Sequence, residues 1–590
     1  MADKAAMCPV NVATHLKTLA KVDPHRLAVV CPQGADRSGR VAYTHLTFRQ
    51  LDDDSDHLAH GLESAGICRG MRTALMVPPS LDFFSLTFAL FKLGAVPVLI
   101  DPGMGVRNLG RCLKDAGPEA FVGIPKAHLA RRLLGWARDS IRITVTTQGR
   151  FLQAQHSLRQ LRARGERIGT GSVADTSADE TAAILFTSGS TGIAKGAVYT
   201  HGIFANQVEI LRRLYGIVPG EMDLATFPLF ALFGPALGMT AVIPDMDPTR
   251  PGAVDARKIV AAVADWGVTN LFGSPALIDR VGRYGVQTGT RLPSLRRVIS
   301  AGAPVAVPIV ERFAKMLAPG VEVFTPYGAT EALPVASIGS DTILNETRRE
   351  TERGAGVCVG RPVAEMDVRI IPISDEPIAE WDESLVLPPG TIGEIVVRGP
   401  VVTQAYFKRP EADALAKIHD PHTGARWHRM GDLGYLDRLG RLWFCGRKSQ
   451  RVATPGGPLF TIPCEAVFNT HPDVFRSALV GVTDGSGPPT PVLCVELEPT
   501  RPYRPFPEIE AELQAIAEAN PHMRSVRTFL RHAAFPVDTR HNAKIFRERL
   551  AKWAGRQLAG RRSWPPASEA VIILPPIAGA DESATTEAQE

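Results

Sequence analysis

Residues 181–201 read TAAILFTSGSTGIAKGAVYTH, and every other segment takes its meaning from them. Residues 182–186 form an apolar run of the kind that makes a buried strand. A polar, glycine-rich loop follows, Thr187-Ser188-Gly189-Ser190-Thr191-Gly192, then Lys195-Gly196 and a second short apolar run. Such a loop offers backbone N–H groups, four hydroxyls and one ammonium. Glycine lets the backbone close around a phosphate, and the N–H groups supply the positive field. It is not a Walker A loop, because Gly196 rather than Ser or Thr follows Lys195 and the spacing differs. An ordinary Ser/Gly-rich hairpin turn is the other reading of the same letters.

The chain has 590 residues, 45% hydrophobic and 22% charged, which is globular composition and a length of roughly four domain-sized units. A net charge of +5 without a long Lys/Arg run gives no footprint for nucleic acid. The eight cysteines are scattered and form no CxxC pair, so neither a zinc site nor a disulfide framework is indicated. They read as reduced thiols of a cytosolic, hence cytoplasmic, protein. Residues 1–20 lack the apolar core of a secretory signal. The longest apolar stretch, residues 81–100, is broken by Asp82, Lys92, Gly94 and Pro97. It reads as a buried helix and a strand, not as an integral membrane span. No fixed-period repeat is present.

Residues 11–66 carry helical patterns, and strand and helix patterns alternate beyond them. Thr47 is an N-cap for the helix that begins at Phe48. Strands are expected at 73–77, 96–100 and 120–124, with helices from 81 and over 108–116 between them, which implies parallel strands covered by helices. Residues 153–180 read as a linker. Beyond the glycine-rich loop, 202–215 is an amphipathic helix. Three strands, at 270–272, 297–300 and 321–324, each run into a small-residue turn: Gly273-Ser274-Pro275, Ala301-Gly302-Ala303-Pro304, and Thr325-Pro326-Tyr327-Gly328-Ala329-Thr330-Glu331. Loops at the carboxyl ends of parallel strands are where such sheets bind ligands. Residues 226–244 are almost wholly apolar, and plain core is one reading of them. The charged stretch 341–357 reads as a solvated helix or as something particular to this chain. Residues 451–559 look like a small α/β unit, and the tail from 560 looks disordered.

The order of the motifs adds a resemblance. TSGSTGIAKG resembles the phosphate-binding loop of the acyl-adenylate-forming superfamily, with Ala194 where that family usually has Pro. YGATE at 327–331 resembles its YGxTE motif. VGRP at 359–362, GEIVVRG at 393–399 with Tyr406, HRMGDLGY at 428–435, GRKSQ at 446–450 and the loop ending Ala543-Lys544 follow in the family's order. The resemblance covers roughly residues 25–555. It implies an α/β fold with a large adenylating domain of parallel-rich sheets covered by helices (1–446), a smaller mobile α/β domain (447–559) and a tail (560–590).

It also implies roles. Thr187, Ser188, Gly189, Ser190, Thr191, Gly192 and Lys195 hold phosphates of ATP, and Lys195 takes part in catalysis. Gly302, Ala303, Pro304, Tyr327 and Gly328 border adenine. Thr330 bonds a phosphate, and Glu331 holds Mg²⁺. Asp432 takes the ribose hydroxyls, and Arg447 contacts the nucleotide. Lys544 is the catalytic ammonium. Phe230, Leu232, Phe233, Gly234, Gly273 and Ser274 border the acyl pocket, where Ala231 and Leu232 stand near the place of a His found in many members. Ser449 occupies the hinge position, where Asp or Lys is usual.

At a finer level FPLFALFGPALG, AVIPDMDPTRPG, LFGSPAL, ERGAGVCVG and WFCGRKSQRV resemble the β-lactone-forming branch of that superfamily, which serves bacterial olefin biosynthesis. That resemblance implies a long-chain 2-alkyl-3-hydroxy acid as substrate, lactone closure by its own hydroxyl, and other olefin-pathway enzymes as partners. A fatty acyl-CoA or acyl-AMP ligase, and a catalytically silent acyl or nucleotide binder, are the alternatives.

Overall fold

The computed structural model describes residues 10–149, 154–187, 194–483, 487–538 and 544–560. Ser188, Gly189, Ser190, Thr191 and Gly192, and the tail beyond 560, lie outside these residues, so the structure does not bear on those expectations.

Among the described residues a seven-stranded sheet runs in the order His156–Ser157, Ile143–Thr146, Ala120–Gly123, Arg72–Met76, Val96–Ile100, Thr181–Thr187, Lys195–Thr200. All neighbours are parallel except the last pair, which is an antiparallel hairpin with Phe186 opposite Gly196 and Thr187 opposite Lys195. The two strands are the arms of a hairpin, and the register sets Lys195 opposite Thr187 at the root of their connection.

A larger, fourteen-stranded sheet has a parallel half and an antiparallel half. The parallel run is Leu27–Ala35, Thr240–Val242, Met222–Ala225, Asn270–Gly273, Arg297–Ser300, Glu322–Ala329. Asn270–Gly273 and Arg297–Ser300 are buried at every position, as strands covered by helices on both faces must be. From Glu322–Ala329 onward the sheet is antiparallel, through Ala332–Gly339, Val357–Pro362, Leu442–Arg447, Arg426–Leu436 and Gly393–Arg398 to Asp367–Ile371. The sheet thus changes character at the YGATE residues. The strand does not stop at 324 as the sequence suggests. It continues through Tyr327 and Gly328, and Thr330-Glu331 form the tip of a hairpin. Only glycine fits at 328, because a Cβ there would come within 2.6 Å of the Ala332 carbonyl oxygen.

Thr47 caps the helix Phe48–Ser64 as its sequence implies, in a reciprocal box with Gln50. The linker reading of 153–180 is corrected: Leu158–Glu166 is a helix capped by Ser157. Two apolar residues, Leu158 and Leu161, sufficed to bury it because Gly165 and Gly61 let two helix backbones meet. Arg162 then pairs with Asp54 and Asp82 across the gap. A charged helix carried by two apolar positions leaves almost no periodic signal.

Beyond residue 451 the strands Val474–Val482, Thr490–Leu497 and Thr528–Arg531 make a separate three-stranded sheet. Phe468, Leu493, Leu513 and Phe529 fill one side of it, and Val480, Val492, Leu530 and Leu550 the other.

Candidate active site

The turns after the parallel strands and the first antiparallel strands enclose a cleft of about 1270 Å³. Lys195, Gly302, Ala303, Pro304, Tyr327, Gly328, Thr330, Glu331, Asp432, Arg447 and Lys544 all border it, as do Phe230, Leu232, Phe233 and Ser274. Residues more than 300 positions apart in the sequence therefore share one wall. Two expected pocket residues lie elsewhere. Gly234 faces a second cavity of about 60 Å³. Gly273 borders neither cavity. Its missing Cβ is what lets the strand pack on the following helix, since a Cβ would meet Leu277 Cδ2 at 2.9 Å.

The polar lining is organised by cross-strand pairing. Asp432 on Arg426–Leu436 sits opposite Arg447 on Leu442–Arg447. Arg447 Nη1 donates to Asp432 Oδ1 at 2.8 Å and to the Met430 carbonyl at 3.1 Å. Tyr327 donates its hydroxyl to the other carboxylate oxygen at 2.8 Å. The Asp432 charge raises the affinity of the Arg447 guanidinium for its proton. Burial, with Asp432 behind it, raises the Tyr327 phenol well above its ordinary value. Both donors, the Arg447 guanidinium and the Tyr327 phenol, are thus held in their protonated, hydrogen-bonding forms.

Glu331 is held at two levels. The Tyr406 hydroxyl donates to its carboxylate at 2.7 Å, and the Thr403 amide donates to its carbonyl at 2.8 Å. Lys195 Nζ lies 4.9 Å from the Tyr406 ring centre and Lys417 Nζ lies 5.9 Å from it. Tyr406 is thus a spacer between two cations and one carboxylate. The Tyr199 hydroxyl donates at 2.6 Å to the Thr330 carbonyl, which steadies the same turn from below. Ser449 lies in a 3-10 turn, Lys448–Gln450, that borders the cleft. Lys448 anchors this turn on Glu394 at 3.0 Å.

Among the described residues no cluster of three or more His, Cys, Asp or Glu side chains could hold a metal alone. A single carboxylate fits Mg²⁺, which is commonly borne by one or two carboxylates together with substrate phosphates.

Sequence reasoning passed over Lys417, His428, Tyr199 and Gln207. Lys417 is a lone lysine on a three-residue strand, and only the tertiary fold buries it, to 7% exposure. It donates to the Thr403 carbonyl. Burial depresses its pKa to about 7, against the opposing pull of Glu331 and Asp413. The unfolded chain, with a lysine near 10.4, then binds more protons between roughly pH 7 and 10, so stability rises with pH across that window. Lys417→Met should flatten the rise. Urea unfolding from pH 7 to 10 checks this, and a variant as steep as the parent refutes it. His428, 2% exposed, is kept neutral by burial and by the neighbouring Lys417 and Lys195 charges. The charged stretch at 341–357 also takes part, since Ile343, Thr347, Thr351 and Glu352 border the cleft.

Carboxylates set among cations, beside an apolar hall, suit an enzyme that brings a phosphate-bearing nucleotide to a greasy acid. The chain belongs to the family of AMP-binding enzymes, whose model matches residues 16–407. It is 51% identical over 565 residues to the olefin β-lactone synthetase of Xanthomonas campestris pv. campestris, covering 94% of this chain and 100% of that one. It is 50% identical over 559 residues to the olefin β-lactone synthetase of Stenotrophomonas maltophilia, covering 94% and 99%. In fold it is similar to the amide bond synthetase from Marinactinospora thermotolerans, with a TM-score of 0.75 at 22% identity over 92% of this chain and 99% of that one. It is similar also to the o-succinylbenzoate CoA synthetase from Bacillus subtilis in complex with ATP and magnesium ion, with a TM-score of 0.69 at 20% identity over 91% and 98%.

Proposed function

We propose that this chain adenylates a long-chain 2-alkyl-3-hydroxy acid and closes it to a β-lactone. In the first step the carboxylate attacks the α-phosphorus of ATP, and pyrophosphate leaves with the electron pair. In the second the 3-hydroxyl oxygen bonds to the acyl carbon, the bond from that carbon to the phosphate oxygen breaks, and AMP leaves. The hydroxyl proton passes to solvent or phosphate. The observation that carries the reading is likeness at half identity, over 94% of this chain, to β-lactone synthetases, on a chain whose cleft is bordered by Lys195, Glu331, Asp432, Arg447 and Lys544.

Each part of the cleft has a task. Two anions must meet in the first step, so neutralising charge is the main requirement. Lys195, Arg447 and Lys544 border the place where the phosphates would lie. Glu331 would hold Mg²⁺, which lowers the charge repulsion between the phosphates and the incoming carboxylate. Asp432 and Tyr327 would take ribose and adenine. Phe230, Leu232 and Phe233 would take alkyl chain. An internal nucleophile needs no acceptor site, and intramolecularity lowers the barrier by several kcal/mol, on the order of what positioning supplies elsewhere.

Seven described cysteines are free, which supports a reducing, cytoplasmic setting. No helix among the described residues is long and apolar enough to cross a membrane. Docking with other enzymes of olefin formation belongs to the same reading.

The test supplies ATP, Mg²⁺ and the hydroxy acid without CoA. The expected products are AMP, pyrophosphate and a lactone identified by mass and by its strained carbonyl signal. Turnover that depends on CoA and accumulates an acyl thioester would overturn the reading in favour of an ordinary ligase.

A further inference from the structure

The helix His201–Tyr215 leaves the hairpin strand that carries Lys195 and buries Ile203, Phe204, Val208 and Ile210. Two polar residues of the helix are buried with them, His201 at its start and Gln207 in its middle. Gln207 is 3% exposed, and its Nε2 donates to the Leu333 carbonyl at 2.9 Å. Its Oε1 is buried and accepts no hydrogen bond. Folded proteins seldom leave a buried acceptor so, and each case asks for an explanation.

The setting supplies one. Among the described residues that border the cleft, three carry a buried polar atom without a hydrogen bond: Gln207, Glu394 and Arg547. Glu394 Oε1 lies 3.0 Å from Lys448 Nζ, and Arg547 Nη1 lies 2.7 Å from Glu465, so both are answered by ion pairs. Gln207 Oε1 is not. Gln207 borders both the main cleft and the smaller cavity, beside Phe230 and Phe272, whose rings stack with centres 4.3 Å apart. On its other side stands Tyr199, close enough for the Gln207 amide to act on its phenol, and the Tyr199 hydroxyl holds the Thr330 carbonyl. Gln207 therefore stands where apolar wall meets the turn that carries Thr330 and Glu331. A ligand group suited to that place is a hydroxyl close to a carboxyl, on an otherwise apolar chain.

We propose that Gln207 Oε1 accepts the hydrogen bond of the substrate's 3-hydroxyl. This rests on the lactone reading above and adds to it the residue that selects β-hydroxy acids. An amide oxygen is too weak a base to take the proton. It fixes the hydroxyl by its hydrogen and leaves the oxygen lone pairs directed to the activated carbonyl. A site built around such a bond also rejects the acid that lacks it, because the amide oxygen is then left unpaired.

The experiment compares the full chain with Gln207→Met, which keeps volume and loses the acceptor, and with Gln207→Asn as a second variant. Each is given the 2-alkyl-3-hydroxy acid and its 3-deoxy counterpart, and pyrophosphate release is followed as kcat/KM. The parent is expected to prefer the hydroxy acid by about tenfold or more. Gln207→Met should abolish most of that preference and lower the lactone formed per AMP released. A preference unchanged in Gln207→Met, or equal losses on both acids, would overturn the assignment. Pyrophosphate release reads the preference whether or not the ring closes. A parent that activates the hydroxy acid but yields no lactone therefore sinks the lactone reading, while a lactone-forming parent with an indifferent Gln207→Met variant sinks the Gln207 assignment alone.

Discussion

Lys544→Ala should fold, bind ATP and lose adenylation by about a hundredfold or more, the scale of removing one donor aimed at transition-state charge. Its neighbourhood shows why the loss should fall on rate. Val537 and Ile545 form a bridge, and Asp538 donates its amide to the Lys544 carbonyl at 2.9 Å, so the backbone at Lys544 and Ile545 is pinned. The side chain borders the cleft from the opposite part of the chain to Lys195. A carboxylate attacking a phosphate concentrates negative charge between them only as the bond forms, and the Lys544 ammonium would act there beside that of Lys195. The check is pyrophosphate release under saturating ATP and acid, together with ATP affinity measured separately. Release near the parent rate would remove Lys544 from the mechanism.

The second large effect is on ATP. Asp432→Ala should raise the KM for ATP by about tenfold or more, with a smaller change in kcat. Ribose contacts are the same in ground and transition states, so losing them appears as lost uniform binding. A hydrogen bond to a charged group contributes on the order of 1.5–3 kcal/mol, which is the source of the tenfold figure. The loss also unmoors two neighbours, because the carboxylate holds the Tyr327 hydroxyl on one oxygen and Arg447 on the other. Asp432→Asn separates the effects: it keeps the shape and removes the charge. If the nucleotide lies elsewhere, both variants leave the KM for ATP unchanged.

Both effects depend on residues whose motifs are local, and that is why they were legible. A glycine-rich loop between two apolar strands, YGATE, Met430-Gly431-Asp432 and Gly446-Arg447 carry their chemistry within a few positions. Turn and loop residues are constrained by backbone geometry over that same range, as at Gly328, where a Cβ cannot fit. The alternation of strand and helix up to residue 324 is local in the same sense, and it marked three strands of the parallel half of the large sheet, Asn270–Gly273, Arg297–Ser300 and Glu322–Ala329, but not Leu27–Ala35, which lies in a stretch of helical pattern, nor Met222–Ala225 and Thr240–Val242.

What stayed hidden depends on partners far away along the chain. Leu158–Glu166 is a helix because glycines on two helices allow close approach, not because of its own pattern. Lys417 looks like any surface lysine until the Tyr406 ring and Thr403 enclose it. Gln207 looks like one polar residue on an amphipathic helix until the Phe230–Phe272 stack and the Thr330 turn close around it. The fold itself is shared with proteins named for amide bond formation and for CoA ligation, so architecture does not choose the acyl acceptor. From the sequence alone come the class of fold, the nucleotide-binding motifs and the order in which they occur. The tertiary structure alone determines which side chains lose their water, since desolvation depends on every neighbour in space rather than on neighbours in sequence. It is that loss which brings the Lys417 pKa down to about 7 and leaves Gln207 Oε1 without a partner.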